Sequence, residues 1–199
     1  MTTALPDRLN NLWWEYRLGV STRGVVPTEH PDSVHYATMR YTTVWAVLRH
    51  LDLGPSDVFV DIGSGKGRVL CCAARLGVRQ VYGVELQGEL CEQARANADQ
   101  LRRPHAPIEV VNAGAQHFDY ATATALFLFD PFGAATLETV LAKVRADIAG
   151  RPLRVAYANP SHDDVFQGQE WLTGREFWAR ADTGLEHDVA FYRSVAPNP

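Results

Sequence analysis

From residue 57 onward the chain alternates short β-rich runs with helical ones, and nothing else in it constrains the fold as strongly. "DVFVDI" (57–62) reads as a buried strand, and "RVLCCAARLG" (68–77) as a helix ended by Gly77. "QVYGVE" (80–85) is a second strand, followed by a helix in "GELCEQARANADQLR". "PIEVVN" and "TALFLFD" are the third and fourth strands, "AATLETVLAKVRADIAG" a helix stopped at Gly150, and "PLRVAYANP" a fifth strand. Apolar runs of strand length separated by helices predict a parallel sheet with both faces covered. The tail departs from this rhythm. "REFWARADT" and "HDVAFYRSV" read as two strands with a short Gly-containing connection and no helix between them, which suits an antiparallel pair at the sheet edge.

Residues 5–18 form an amphipathic helix in prospect, with Leu9, Leu12, Trp13 and Tyr16 at helical spacing. A Pro-rich connector, "VVPTEHPDS", should be irregular. Asp32 or Ser33 can cap a second helix over 34–52, on which Tyr36, Met39, Thr43, Val47 and Leu51 share a face, and Gly54-Pro55 stops it. The expected division is N-terminal helices and lid over 1–53 packed on a core of 54–199, one structural domain in all.

Composition narrows the setting. With 199 residues, 46% of them hydrophobic, the chain has material for one full core. A net charge of −4 and a pI near 6.0 show no overall footprint for nucleic acid, so a polyanionic acceptor is not expected. No apolar run reaches the ~20 residues of a membrane helix, so no membrane partner is expected either. The N-terminal stretch carries charges and tryptophans where a secretion signal would be apolar. Cys71, Cys72 and Cys91 have no disulfide or zinc spacing, and no histidine has a partner at ligand spacing. A reducing cytoplasm and no metal are the expectations, and oligomeric state is not readable.

The turn between the first strand and helix, "FVDIGSGKGRVL" (59–70), is where chemistry enters. A phosphate-binding P-loop needs Gly, four residues, then Gly-Lys-Ser/Thr. Aligned on Gly65-Lys66, that pattern puts Val60 in the first glycine's place and Gly67 in the hydroxyl's, and both fail. A dinucleotide fingerprint needs Gly-x-Gly-x-x-Gly, but its third position here is Arg68, the glycine standing one place early at Gly67. What remains is Asp61-x-Gly63-x-Gly65-x-Gly67. It resembles the nucleotide loop of the class I S-adenosylmethionine (SAM)-dependent methyltransferases, whose fold is Rossmann-like. SAM has no pyrophosphate, so the loop need not aim N–H groups at a large anion. It must let the backbone lie close to a nucleoside, which glycines allow, with Asp61 facing the ammonium and sulfonium.

The resemblance spans roughly residues 25–195 and implies the remaining cofactor residues. Glu85 ends the second strand, 85 − 61 = 24 positions after Asp61, as an acid for the ribose hydroxyls. Dinucleotide folds carry such an acid too, so the glycine spacing and the antiparallel tail discriminate. Family members usually have Gly-Asp-Ala after the third strand, whose acid holds the adenine amino group; here Gly114 stands in the acid's place. Adenine is then expected at backbone near Ala115, at Asn112 or at Gln116. Ser64, Leu86, Tyr41 and Asp130 complete the expected cofactor set.

For the acceptor, "LFLFDPFG" places Asp130-Pro131-Phe132-Gly133 at the carboxyl edge of the fourth strand. It is similar to the family's Asn/Asp-Pro-Pro-aromatic motif, with the second proline missing. Asp130 can accept a hydrogen bond or proton from an amine, Pro131 offers no N–H, and Phe132 can cover the substrate or the sulfonium. Asn159, His162 and Asp163 follow the fifth strand at the same edge, and His162 is the candidate general base. "PT" (27–28) before the second helix resembles the DOT1-like and mitochondrial lysine methyltransferases. In that likeness Tyr36 and Tyr41 bound the cofactor's methionine end, with Tyr36 a catalytic candidate, Arg40 or Thr42 lies near its carboxylate, and Trp13 and Trp14 form a lid, Trp13 against the substrate. The resemblance thus implies methyl transfer from SAM, leaving S-adenosylhomocysteine, to a nitrogen of a lysine-like amine or small metabolite; the acceptor is a small molecule or a peptide or protein. Transfer to oxygen, a dinucleotide-dependent oxidoreductase and a catalytically silent SAM-binding protein are the competing readings.

Overall fold

A computed structural model describes residues 7–24 and 38–194, the side chains of 7 and 8 excepted. Among the described residues seven strands form one sheet: β1 (Val58–Ile62), β2 (Gln80–Glu85), β3 (Ile108–Asn112), β4 (Ala125–Phe129), β5 (Arg154–Ala158), β6 (Leu172–Trp178) and β7 (Val189–Ser194). Their order is β3-β2-β1-β4-β5-β7-β6. β1 to β5 are mutually parallel, and β7 runs against both β5 and β6. The chain winds outward from β1 to β3, then returns to β4 on the other side of β1. That reversal opens a crevice beyond the carboxyl ends of β1 and β4, where ligands of such sheets bind.

Helices cover both faces, as the alternation requires. α1 (Asp7–Leu18), α2 (Tyr41–His50), α3 (Arg68–Ala74) and α4 (Gly88–Gln100) enclose a core with Phe59, Val81, Val110 and Phe127. On the other face α5 (Ala134–Ile148) and α6 (Asp163–Gln167) enclose Val60, Ile62, Leu126 and Tyr157. β1 is buried along its whole length because both layers meet over it.

Four local expectations change. Tyr41 begins α2, whereas 38–40 are non-helical and the expected caps, Asp32 and Ser33, lie outside the described residues. The first turn is instead met by Asn11, whose Oδ1 accepts from Tyr41 N at 3.2 Å. α6 occupies a stretch read as loop. The β6–β7 connection contains a helix, α7 (Arg180–Thr183), because Asp188 Oδ1 accepts from Arg180 N at 2.7 Å and Gly184 ends the turn. The strand before it therefore starts earlier, at Leu172, and is mostly exposed, which explains its faint pattern.

The fourth change is the orientation of α1. Leu9, Trp13 and Tyr16 face solvent, at 50%, 43% and 74% exposure, while Glu15 and Leu18 are buried. An ionic anchor decides this. Arg68, the first residue of α3 and only 4% exposed, donates to Thr22 Oγ1 (2.8 Å) and to the Met39 carbonyl (2.6 Å), and faces Glu15 Oε1 at 3.5 Å. Its guanidinium lies 4.4 Å from the centre of the Tyr41 ring, which is also stacked with Trp14. Glu15 also accepts from Thr22 N and from Arg23 Nε. A buried charge must be paired, so Glu15 turns inward and takes Trp14 with it.

Removing one partner of such a pair strands the other in the core. Arg68→Leu is expected to destabilise the chain by about 3 kcal/mol, as a lower urea midpoint. Glu15→Gln, which keeps a hydrogen-bonding side chain, is expected to cost less.

Candidate functional site

The glycine turn joins β1 to α3 with Gly63, Gly65 and Gly67 at φ 76°, 52° and 80°. At Gly63 the requirement is double. A Cβ there would lie 2.7 Å from Pro131 Cβ, so the loop is pressed against the loop after β4. The loop's donors face inward. Gly63 N and Ser64 N donate to the Val84 carbonyl (2.8 and 3.1 Å), Gly67 N to the Ser64 carbonyl (2.9 Å), and Gly65 N to Glu85 Oε2 (2.9 Å). A phosphate cradle would aim these groups outward. This one does not.

Two carboxylates sit behind the turn. Glu85, 7% exposed, is held through both oxygens, Oε1 accepting from Gln87 N at 2.9 Å. Asp61, 3% exposed, has no hydrogen-bond partner among the described residues. Burial, and then the neighbouring Glu85 charge, push its carboxyl well above the ordinary carboxylate range. A buried acid beside a second acid, with no cation near it, is disposed to receive positive charge.

The end of β3 completes this side. Asn112 Nδ2 donates to the carbonyls of Glu85 (3.0 Å) and Leu86 (2.8 Å), fixing the turn into α4 and leaving Oδ1 as an acceptor. The Gln116 amide folds back over Gly114, its polar atoms 2.9 Å from where a Cβ would be. Ala115 is buried at the start of a 3-10 turn, Ala115–His117. Leu86 is 44% exposed, an apolar side chain at the rim.

Across the crevice, the end of β4 presents Asp130 in the left-handed region, φ 41°, with Asn159 after β5 likewise at φ 50°. Asp130 Oδ1 accepts from Tyr157 Oη at 2.7 Å, and Oδ2 from Asn159 Nδ2 (3.1 Å) and Ser161 Oγ (2.5 Å). Burial, then the hydrogen bond to Asp130 and its charge, raise the Tyr157 hydroxyl above the usual tyrosine range, so it stays a donor. His162 N donates to the Tyr157 hydroxyl oxygen at 3.3 Å, its ring being half-buried. Pro131 and Phe132 are half-buried too, Phe132 against the second core.

The structure thus brings Asp61, Gly63, Gly65, Gly67, Glu85, Leu86, Asn112 and Ala115 to one side of the crevice, and Asp130, Pro131, Asn159 and His162 to the other. Four expectations do not fit. Tyr41 is fully buried between Trp14 and Arg68, its hydroxyl at Thr22 (3.3 Å), so it cannot bound a ligand. The Ser64 hydroxyl is buried without a partner over Gly83, whose missing Cβ makes room for it, so its side chain turns toward β2. Trp13 points outward with Arg17 over its ring, and Trp14 takes the inward place. Asp163 is engaged by Tyr192, Gln167 and Arg175. Tyr36 lies outside the described residues.

Sequence reasoning missed Tyr157 and Ser161. Tyr157 reads as one more core residue of β5, and only the register that sets Leu128 beside it reveals its hydroxyl beneath Asp130. Ser161 lies between Asn159 and His162, but a serine carries no signal of its own.

Comparison with known proteins bears on the fold. The family model "Histone methylation protein DOT1" matches residues 30–117. No curated protein sequence matches. Among solved structures, an RNA methyltransferase from Salinibacter ruber in complex with S-adenosyl-L-homocysteine aligns with a TM-score of 0.54 and 21% identity, over 82% of this chain and 95% of that one. A SAM-dependent O-methyltransferase from Thermotoga maritima gives 0.64 and 17%, over 82% and 69%. Magnesium protoporphyrin IX methyltransferase from Synechocystis PCC 6803, with bound SAM, gives 0.59 and 15%, over 77% and 78%. At such identities the likeness is one of fold.

The raised Asp61 carboxyl has a consequence for the ligand-free chain. A carboxyl with its folded value above its unfolded one binds more protons when folded. Stability therefore falls as pH rises from the ordinary carboxylate range through the raised value. Asp61→Asn cannot ionise and escapes this loss. Its ligand-free melting temperature is expected to exceed that of the unsubstituted chain at ~pH 8, with the difference disappearing near ~pH 4, in calorimetric scans at both.

Proposed function

We propose that this chain, which has the class I SAM-dependent methyltransferase fold and matches the DOT1 family model over residues 30–117, binds SAM in its crevice and methylates a nitrogen. The carrying observation is the unpartnered, buried Asp61 beside the satisfied Glu85, under a glycine turn whose donors face inward. That set fits SAM and no phosphate ligand. Asp61 complements the cationic ammonium and sulfonium. Glu85, with one protein donor on each oxygen, retains acceptor capacity for two ribose hydroxyls. Asn112 Oδ1 and the Gln116 amide supply adenine partners where Gly114 has none, and exposed Leu86 offers an apolar surface to the ring.

Bound there, SAM supplies an electrophilic methyl group on sulfur. The protein's own share is placement and proton handling. Alignment of two reactants is worth up to ~7–11 kcal/mol, and the contact of Gly63 with Pro131 locks the cofactor loop to the acceptor loop. A nitrogen acceptor must arrive uncharged. Asp130, oriented by Tyr157, Asn159 and Ser161, accepts the N–H of such an acceptor on Oδ1, which has a single protein donor. Pro131 adds no competing N–H, and Phe132 closes one side. The acceptor is a lysine-like amine or a small amine metabolite, free or within a peptide or protein.

Two measurements test this. SAM is expected to raise the melting temperature and NADH to leave it unchanged; the reverse contradicts the cofactor. Asp130→Asn is expected to keep the SAM-induced shift but to lower S-adenosylhomocysteine release with a cognate amine about 100-fold or more. Undiminished release would remove Asp130 from the chemistry.

A further inference from the structure

Most of the apolar stripe expected on α1 faces outward. Leu9, Trp13 and Tyr16 stand on it, exposed, at helical spacing. Arginines surround these rings. The Arg17 guanidinium lies 4.9 Å from the Trp13 ring centre, and that of Arg102 lies 5.3 Å from Tyr16. Arg102 Nη1 donates to the Tyr16 carbonyl at 2.7 Å, and Arg75 Nη1 to the carbonyls of Arg102 (2.8 Å) and Arg103 (3.1 Å), which ties Arg75, Arg102 and Arg103 to the last turn of α1, where Arg17 stands.

None of the four has a carboxylate partner among the described residues. Every ion pair of an arginine there belongs to Arg23, Arg40, Arg68, Arg154 or Arg175, and the exposed acids of α4, Glu89, Glu92 and Asp99, pair with none of them. Proximity to the carboxyl ends of α4 and α1 accounts for the bonds of Arg75 and Arg102, respectively, to carbonyls. It does not account for two exposed aromatic rings among the charges. A cavity of about 400 Å³ opens between Leu12, Tyr16, Gly19, Arg23 and Arg102, and Glu15 at its floor is already committed to Arg68 and Arg23. At its other side Arg23 O accepts from Lys66 Nζ at 2.9 Å, so the surface runs up to the glycine turn.

From this we infer that the outer face of α1, with the ends of α3 and α4, binds single-stranded nucleic acid, the arginines meeting phosphates and Trp13 and Tyr16 stacking on bases. Unpaired guanidinium groups complement a polyanion, and flat rings set among them complement bases, whereas an acidic peptide would have no use for the rings. The chain's overall charge of −4 averages over this patch and conceals it. The surface lies apart from the Asp130 cluster, and the inference stands whether or not the methyl acceptor is an amine as proposed above. It makes the bound strand the vehicle that brings an acceptor, on itself or on a protein it carries, to the crevice.

The test is fluorescence anisotropy of a labelled mixed-sequence RNA of about 20 nucleotides, with the full chain, between ~50 and ~200 mM salt. The expected result is binding whose log–log salt slope is about −3, four contacts at ~0.7 each. Arg17→Ser with Arg103→Ser, neither of whose side chains holds a hydrogen bond, should flatten the slope to about −1.4 and weaken binding. Trp13→Ala with Tyr16→Ala should weaken binding about 10-fold or more and leave the slope unchanged. All variants should keep the SAM-induced melting shift of the parent, so a failure of the cofactor reading would show separately. RNA binding that is absent, or unaltered in both double variants, overturns the inference. Poly-glutamate binding tighter than RNA overturns it equally, assigning the face to acidic peptides.

Discussion

Asp61 and Glu85 end adjacent strands, both buried, and only one of them is satisfied. The backbone N–H groups of Gly65 and Gln87 hold Glu85, so it is part of the fold. Asp61 has no such support and sits in a position that costs the ligand-free chain stability. We propose that an acid kept where the fold alone would discard it is reserved for a ligand, and a cationic one. The glycine turn, the register of β1 with β2 and the burial under α3 all serve to hold those two carboxylates side by side.

Around that pair the structure is tied in two directions. Toward β4, Pro131 against Gly63 makes the loops after β1 and β4 a single unit, so the Asp130 cluster is set relative to the carboxylates by contact. Toward the N-terminus, Arg68 carries the first turn of α3 into a buried network with Glu15, Thr22, Met39 and Tyr41. The same arginine that starts the helix behind the glycine turn fixes α1. Through Arg40, paired with Glu186 at 3.0 Å, the start of α2 also reaches the β6–β7 connection.

The fold was largely legible, because strand-length apolar runs alternating with helices admit few arrangements and the last pair lacked a helix of core length. Legibility failed where a long-range partner overrode local pattern. The apolar stripe of α1 at Leu9, Trp13 and Tyr16 looked like a core face, yet one buried ion pair 53 residues apart in sequence turned the helix the other way. Tyr41 looked like a pocket aromatic and became a ceiling for Arg68. The glycine turn could be recognised from spacing, because φ and close approach are properties of single residues. The Asp130 cluster could not be read in full, since Tyr157, Asn159 and Ser161 meet Asp130 only once β4 and β5 are in register.

The most direct test of the central claim, that Asp61 is a counter-charge held ready for a cationic nucleoside, is the proton balance of SAM binding. Titration calorimetry at ~pH 6, below the range in which an α-amino group titrates, in two buffers of different ionisation enthalpy reads it directly. Binding that ionises a carboxyl raised above its usual range must release protons, so the account predicts net release, up to one per SAM, absent in Asp61→Asn. No release, or proton uptake, with tight binding in both proteins would contradict it.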